Sequence, residues 1–283
     1  FKKVPTNTKE SKLKDGNTIW IDFIKHSFEL LNECGYMSMI VPAIWMKPDK
    51  AKVYDLLTSY KIHKLKSFTN TQTNRMFNGE AQTPTTIFVL QNSKTDNVIN
   101  IYDEKDKVSG YHLKKDNPIP VMGISVINKL LRYVEQVGHI DVKKTNLPPK
   151  HIEIFEKRKD DSNYRNITTC VLNKNVPTMI YNYSFSPCPY YKKPKLILAH
   201  GMYGFPYIDR SGKYGIANRD KYIIMDKSYD DMCMLSSFLS TKSCLFIFEA
   251  TKYRMKYLEK YIFEYIPDIT KIKNFPKNIT DET

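Results

Sequence analysis

Gly16-Asn-Thr-Ile-Trp20-Ile-Asp-Phe23, then Gly35-Tyr36, then Ile40-Val-Pro-Ala-Ile-Trp45 follow one another closely near the start of the chain. From Thr18 the residues Trp20, Phe23, Ile24, Ser27, Leu30 and Leu31 recur at three- and four-residue spacing. That periodicity predicts a helix with those residues on one face. Gly35 stands where a helix of that length would close. Tyr36–Val41 is almost wholly apolar and reads as a central strand buried on both sides. Trp45 ends this strand at the edge where doubly wound sheets place their ligands, and reads as a plug there. Trp20 reads as core.

Working outward, a second helix follows Pro48 with Val53, Leu56 and Leu57 inward. Lys64–Phe68 is a predicted strand. Residues 69–84 are polar and turn-forming, with Met76-Phe77 in their middle. Thr85–Gln91 and Val98–Tyr102 read as a strand pair joined by the loop Asn92–Asn97. The order helix, strand, helix, strand, strand, strand predicts an α/β fold, the second half of a doubly wound, Rossmann-like sheet closing on an antiparallel hairpin. Half a sheet leaves its inner strand edge unpaired.

Residues 103–123 are charged and contain proline, as connections do, and Ile127, Leu130, Leu131 and Val134 mark a helix over Ile124–Val137. Three regions result: 1–110 as the half sheet, 111–138 as linker and helix, and 139–283 as an α+β, β-rich domain. The last region shows short strands at Thr168–Leu172, Thr178–Tyr183, Lys195–His200, Pro206–Asp209 and Lys221–Met225. Helices are predicted near Asp230–Ser240 and Ser243–Tyr261.

The chain has 283 residues, 41% of them hydrophobic, enough for one large or two ordinary domains. Lys and Arg number 44 against 30 Asp and Glu, and the net charge of +14 points to a polyanionic partner. Lysines on solvated faces give the same excess without binding anything. No apolar run is long enough to span a bilayer. The five cysteines show no Cys-x-x-Cys pair and the six histidines no His-x-x-x-His spacing, so the pattern argues against a metal site. The cysteines read as small core residues of a reducing compartment.

The stretch from Gly16 to Trp45 resembles the region that follows the Asn-Pro-Pro-aromatic motif in gamma-class adenine-specific DNA methyltransferases of type II restriction–modification systems. The later stretch Lys193-Pro-Lys-Leu-Ile-Leu-Ala-His200, Tyr207-Ile-Asp-Arg-Ser-Gly212 and Tyr265-Ile-Pro267 resembles the target-recognition domain of the same enzymes. The resemblance implies a methyl group passed from S-adenosylmethionine to the exocyclic amino group of adenine. That nitrogen is a weak nucleophile, so the base must leave the duplex, lie between flat surfaces and give up its protons to acceptors.

Of the family's motif only the aromatic has a counterpart, Phe1, which the resemblance makes the catalytic-motif residue. The Gly-rich first turn, the ribose-binding acid and Asn-Pro-Pro have no match in this sequence. The resemblance therefore implies the C-terminal part of an enzyme, acting in the cytoplasm. Its S-adenosylmethionine would be bound by a missing N-terminal half or a complementing chain. Phe77 stands where the family places an aromatic against the flipped adenine; it reads equally as a loop anchor tucked into its own domain. His200, Tyr203, Tyr207, Arg210, Lys213 and Arg219 are the candidate contacts to double-stranded DNA, as phosphate contacts before base readers. The other reading is a non-catalytic, sequence-specific DNA-binding protein that keeps the sheet as a scaffold.

Overall fold

The computed structural model describes residues 19–81, 83–103, 105, 107–173, 176–199, 206–254, 258–277 and 279, with backbone alone over 170–173 and 176–177. Phe1, His200 and Tyr203 lie outside the described residues. Two units divide the chain: residues 1–128 with 250–255, and residues 129–249 with 256–283.

In the first unit, helix α1 (Ile19–Leu30) buries Trp20, Ile21 and Ile24. Phe23 and Leu30, placed inward by spacing, are instead 54% and 85% exposed. Phe28 takes the inner position, its ring stacked on Tyr60 at 4.5 Å. Both stripes satisfy helical spacing, and tertiary packing selects between them. Gly35 also differs from its expected part. The helix ends earlier, Cys34 carries the left-handed backbone (φ 59°), and a side chain at Gly35 would crowd the Asn32 carbonyl at 2.9 Å. Cys34 is exposed, unlike the buried Cys188 and Cys244.

β1 (Tyr36–Pro42) leads through a 3-10 turn (Ala43–Met46) to α2 (Val53–Thr58) and directly into β2 (Tyr60–Phe68). The polar stretch after β2, expected to be loop, folds as α3 (Asn70–Met76). β3 (Thr85–Lys94), β4 (Val98–Tyr102) and β5 (Val108–His112) complete a five-stranded sheet of order β1-β3-β2-β4-β5. β3 is antiparallel to both β1 and β2, so those two run parallel, and β4 is parallel to β2.

Three expectations change here. β1 is an edge strand among the described residues, with Tyr36 and Ile40 exposed, rather than a strand buried on both sides. β3 and β4 do not pair with each other; the closing hairpin is β4–β5. β5 occupies the stretch read as linker, and Asp103 fixes its turn by accepting from the backbone N–H groups of Lys105 and Lys107, both at 2.9 Å. The sheet's core joins Trp45, Met46, Leu57, Leu65, Phe88 and Leu90. Ala250 and Tyr253 close it from a later part of the chain: the Ala250 carbonyl accepts from Val121 N–H, and the Tyr253 hydroxyl donates to the Ile119 carbonyl at 2.6 Å.

α4 (Ile124–Val137) contains the boundary between units. The second unit then builds β6 (Lys143–Lys144), β7 (Ile154–Phe155), β8 (Tyr164–Asn173), β9 (Val176–Ser184), β10 (Lys195–Ala199), β11 (Tyr207–Asp209), β12 (Gly215–Ile216) and β13 (Lys221–Ile224). They form two four-stranded sheets, β11-β10-β13-β6 and β12-β8-β9-β7. Ile197 and Ile223 from one sheet meet Ile167 and Ile216 from the other, with Tyr214, in a shared apolar cluster.

α5 (Tyr229–Leu239), capped by the Ser228 hydroxyl, and α6 (Lys242–Glu249) follow. The helix expected to reach Tyr261 stops at Glu249, and a 3-10 segment follows at Lys260–Tyr265. No single helix among the described residues is long and apolar enough to cross a membrane.

Candidate nucleic-acid interface

Two places carry the side chains that the sequence singled out, one in each unit. The first begins with the parallel strands β1 and β2. Their carboxyl ends coincide, because Pro42 and Phe68 both oppose Thr85 of β3. Trp45 fills the space beyond β1, its indole N–H donating to the Thr86 hydroxyl at 2.8 Å and its ring edge-on to Phe88 at 5.7 Å. It is a plug, as its position in the sequence indicated.

At the end of β2, Thr69 and Gln72 form a reciprocal capping box that starts α3. The Thr73 hydroxyl meets that of Thr85 at 3.0 Å and holds the helix on the sheet. The helix ends on Phe77. Asn78 takes a left-handed backbone, Gly79 N–H returns to the Asn74 carbonyl at 2.8 Å, and Asn78 N–H to that of Arg75 at 3.5 Å. This is a Schellman cap, which stops a helix firmly. Phe77 thus sits on a pinned turn, 38% exposed, and Met76 beside it is 45% exposed.

S-adenosylmethionine, the donor implied by a methylase, finds no cradle in this part of the chain. Residues 36–78 contain no glycine. The turn after β1 is occupied by buried Trp45 and the one after β2 by the capping box. These turns do not fit the cofactor. Among the described residues no group of three or more His, Cys, Asp or Glu is placed to hold a metal ion.

The second place is the β11–β12 loop. Lys195, at the start of β10, is wholly buried, and its ammonium donates to Asp209 Oδ2 at 2.6 Å and to the Tyr214, Tyr190 and Lys193 carbonyls at 2.7, 3.0 and 3.1 Å. Asp209 in turn accepts the backbone N–H groups of Lys213 at 2.9 Å and Tyr214 at 3.0 Å. Burial draws the Lys195 pKa down, and the Asp209 carboxylate opposes that pull. With four acceptors around one ammonium, the pair ties down the whole turn. Gly212, at φ +66°, lies against the Lys192–Lys193 backbone, where a side chain would collide. The sequence named the outer residues of this loop and missed the pair beneath them. Its trace was a lysine entering a wholly buried strand and an aspartate ending the next.

Around that pair the structure collects three of the six predicted DNA contacts. Arg210 is exposed with its guanidinium 4.2 Å from the Tyr229 ring centroid. Lys213 is exposed beside Tyr214. Tyr207 faces the apolar cluster instead, half-buried near Tyr214, and burial pushes its hydroxyl up to about 12. Arg219 stands exposed in the next turn, between β12 and β13. Beside it, burial lowers the Lys221 ammonium to about 8, against the opposing charge of Asp220.

Residues 2–77, about a quarter of the chain, match the family described as Eco57I restriction-modification methylase. The match therefore takes in α1 through α3 and ends on Phe77. No curated protein matches the chain. Among solved structures, the type IIG restriction endonuclease BpuSI is similar at 12% identity over 95% of this chain and 44% of its own, with a TM-score of 0.33. A structure from work on the assembly and conformational transition of a type I R-M system is similar at 18% identity over 44% of this chain and 26% of its own, with a TM-score of 0.26. The chain thus spans less than half the length of either, and at these TM-scores neither likeness bears weight.

Proposed function

We propose that this chain is the C-terminal part of a sequence-specific DNA methyltransferase of a restriction–modification system, acting on the exocyclic amino group of adenine. The single observation that carries the reading is the methylase match over residues 2–77. The placement of its last residue supports it: Phe77 is an exposed ring on a rigid turn, at the carboxyl end of parallel strands. In this reading the five-stranded sheet is the closing half of the catalytic domain, with Phe1 as the aromatic of its motif.

The second unit recognises double-stranded DNA, with Arg210, Lys213 and Arg219, together with His200 and Tyr203, as its outer contacts. The methyl donor, S-adenosylmethionine, is held by a cofactor half that adds along the open edge of β1. What this chain supplies to the reaction is a flat apolar surface at Phe77 for an extruded adenine, and the DNA contacts that keep the target in place.

The test pairs binding with chemistry. Calorimetry should show no micromolar binding of S-adenosylmethionine to the chain alone. In a protein joining the chain to a cofactor half, Phe77→Ala should weaken binding of a duplex with a mismatched adenine and slow single-turnover methylation. Loss of base–aromatic stacking is worth about 1–3 kcal/mol, a tenfold to hundredfold effect. The melting temperature should hold, whereas truncating a core phenylalanine costs about 3–5 kcal/mol. A sharp fall in melting with normal chemistry in the folded fraction would make Phe77 structural and remove the assignment.

A further inference from the structure

The five-stranded sheet is packed on one face and open on the other. On the packed face Met37 and Val41 of β1, Ile62 and Leu65 of β2, and Phe88 and Leu90 of β3 are each at most 7% exposed. Strand alternation turns their neighbours the other way. The register sets those neighbours in three rows across β1, β3 and β2. The rows are Tyr36, Gln91 and Lys61; Ser38, Val89 and Lys64; and Ile40, Ile87 and Lys66. None of these residues is buried, and Tyr36, Ser38, Ile40 and Lys64 are exposed.

This open face has two parts. Along β1 and β3, Tyr36, Ile40, Ile87 and Val89 form an apolar strip that continues to the unpaired β1 edge. Along β2, a lysine ends every row, and the rows hold no Asp or Glu. Lys61 is met by Asp96 at 3.1 Å, from the loop before β4. The Lys64 ammonium lies 4.5 Å from the ring centroid of Tyr102, which is half-buried beside Lys66 on β4.

Sheets that contain parallel strands bury both faces, usually beneath helices. Three strands about 4.8 Å apart present a surface about 10 Å across, close to the diameter of one α-helix, about 10–12 Å. A helix laid there would rest an apolar ridge on Ile40, Ile87 and Val89 and turn one flank to Lys64 and Lys66. Carboxylates suit that flank, and lysines do not. Residues 2–16 of this chain have the opposite composition. They hold five lysines against Glu10 and Asp15, with Val4 and Leu13 as their branched apolar residues.

We propose that the open face of the sheet docks an amphipathic helix of the cofactor half, apolar along one side and acidic along the flank that meets β2. The proposal rests on reading this chain as the C-terminal part of a methyltransferase. It goes further by naming a surface on which the halves join and the chemistry of its partner.

The probe is a labelled synthetic peptide of about 18 residues, about five helical turns, with leucines along one side and glutamates beside them. A counterpart carries lysine in place of every glutamate. Fluorescence anisotropy with the full chain should show the acidic peptide binding at least about tenfold more tightly than the basic one. Tyr36→Ser combined with Ile40→Ser should weaken the acidic peptide at least about tenfold at nearly unchanged melting temperature, because the apolar seat is lost. Lys64→Glu should bring the two peptides within about threefold of each other. Phe246→Ser, which removes an exposed ring from α6, should shift binding less than about threefold. In a protein joining the chain to a cofactor half, the face is already filled, and the acidic peptide should bind at least about tenfold more weakly.

No binding of the acidic peptide, or equal binding of the two, overturns the proposal. So does a loss with Phe246→Ser as large as that with the β1 pair. Undiminished binding to the joined protein overturns the choice of occupant. A single-stranded oligonucleotide that binds where the acidic peptide does not, and is released by Lys64→Glu, makes the face a nucleic-acid surface and overturns it too. In each case the proposed function keeps its own test, through S-adenosylmethionine calorimetry and Phe77→Ala.

Discussion

The two units handle charge in opposite ways. In the first, the buried polar side chains among the described residues are uncharged threonines, Thr73, Thr85, Thr86 and Thr251, and apolar rings and branches stay uncovered along α1 and β1. In the second, Lys195, Asp209, Lys221 and Asp268 are buried. A unit that rests on apolar burial can leave one edge open, because an unpaired backbone edge and an exposed isoleucine cost little in water. A unit that closes over charges must satisfy each of them, and every satisfying bond fixes a loop. In the proposed reading, the open β1 edge takes the strands of a cofactor half, and the second unit presents its loops in a set form.

The largest expected effect tests the charged unit. Asp209→Ala leaves the Lys195 ammonium buried without its carboxylate, which should cost about 3–5 kcal/mol. Calorimetry should show the second unit melting earlier, with the five-stranded unit unmoved. The paired change Lys195→Met with Asp209→Leu should recover most of the loss, since replacing a buried ion pair by apolar groups is often neutral or stabilising. If Asp209→Ala melted like wild type, the view that charge organises this unit would fail.

Lys221 sharpens the same point through pH. Its folded-state pKa, about 8, lies below the ordinary value of about 10.4 for an unfolded lysine. Between those values the unfolded chain holds the proton and the folded chain has released it, so stability rises as pH climbs from 8 toward 10.4. Below pH 8 the penalty for burying the charge is present in full. Lys221→Met should flatten that rise and stabilise the protein near neutrality, on the order of 2 kcal/mol. Denaturant titrations at a series of pH values would show it. An unchanged slope would mean that Lys221 is hydrated in solution.

The smallest effect on stability belongs to the open edge. Ile40→Lys places a charge on the exposed face of β1 and should alter melting by less than about 0.5 kcal/mol. It should nonetheless reduce concentration-dependent self-association in sedimentation velocity, because a lysine on an edge strand deters edge-to-edge pairing. Equal association in both proteins would show that the β1 edge is not adhesive.

What the sequence revealed follows the same division. Periodic apolar runs were legible: α1, β1, α4 and most strands of the second unit appear where spacing put them. Non-local choices were not. Nothing in Thr85–Tyr102 says that β3 inserts between β1 and β2 while β4 turns to the far side of β2. β5 went unread because Val108-Ser-Gly-Tyr-His112 offers a glycine and one core residue, Tyr111. α3 carried a readable signal, Thr69 with Gln72 three residues on, that its polar composition masked. At the site, exposed cations were easy to name. Lys195 and Asp209 were invisible as a pair, because a charge in a sequence reads as solvated until its strand is known to be buried.

The cap that ends α3 has a consequence in entropy. A ring on a free loop loses backbone freedom as well as side-chain rotation when it meets a ligand, about 1–2 kcal/mol for each residue fixed. Around Phe77 that loss has already been taken in folding, through the bonds from Gly79 to Asn74 and from Asn78 to Arg75. Only the two side-chain torsions of the ring are left to settle. A helix terminus that looks like local architecture therefore lowers the entropic cost of any contact the Phe77 ring makes.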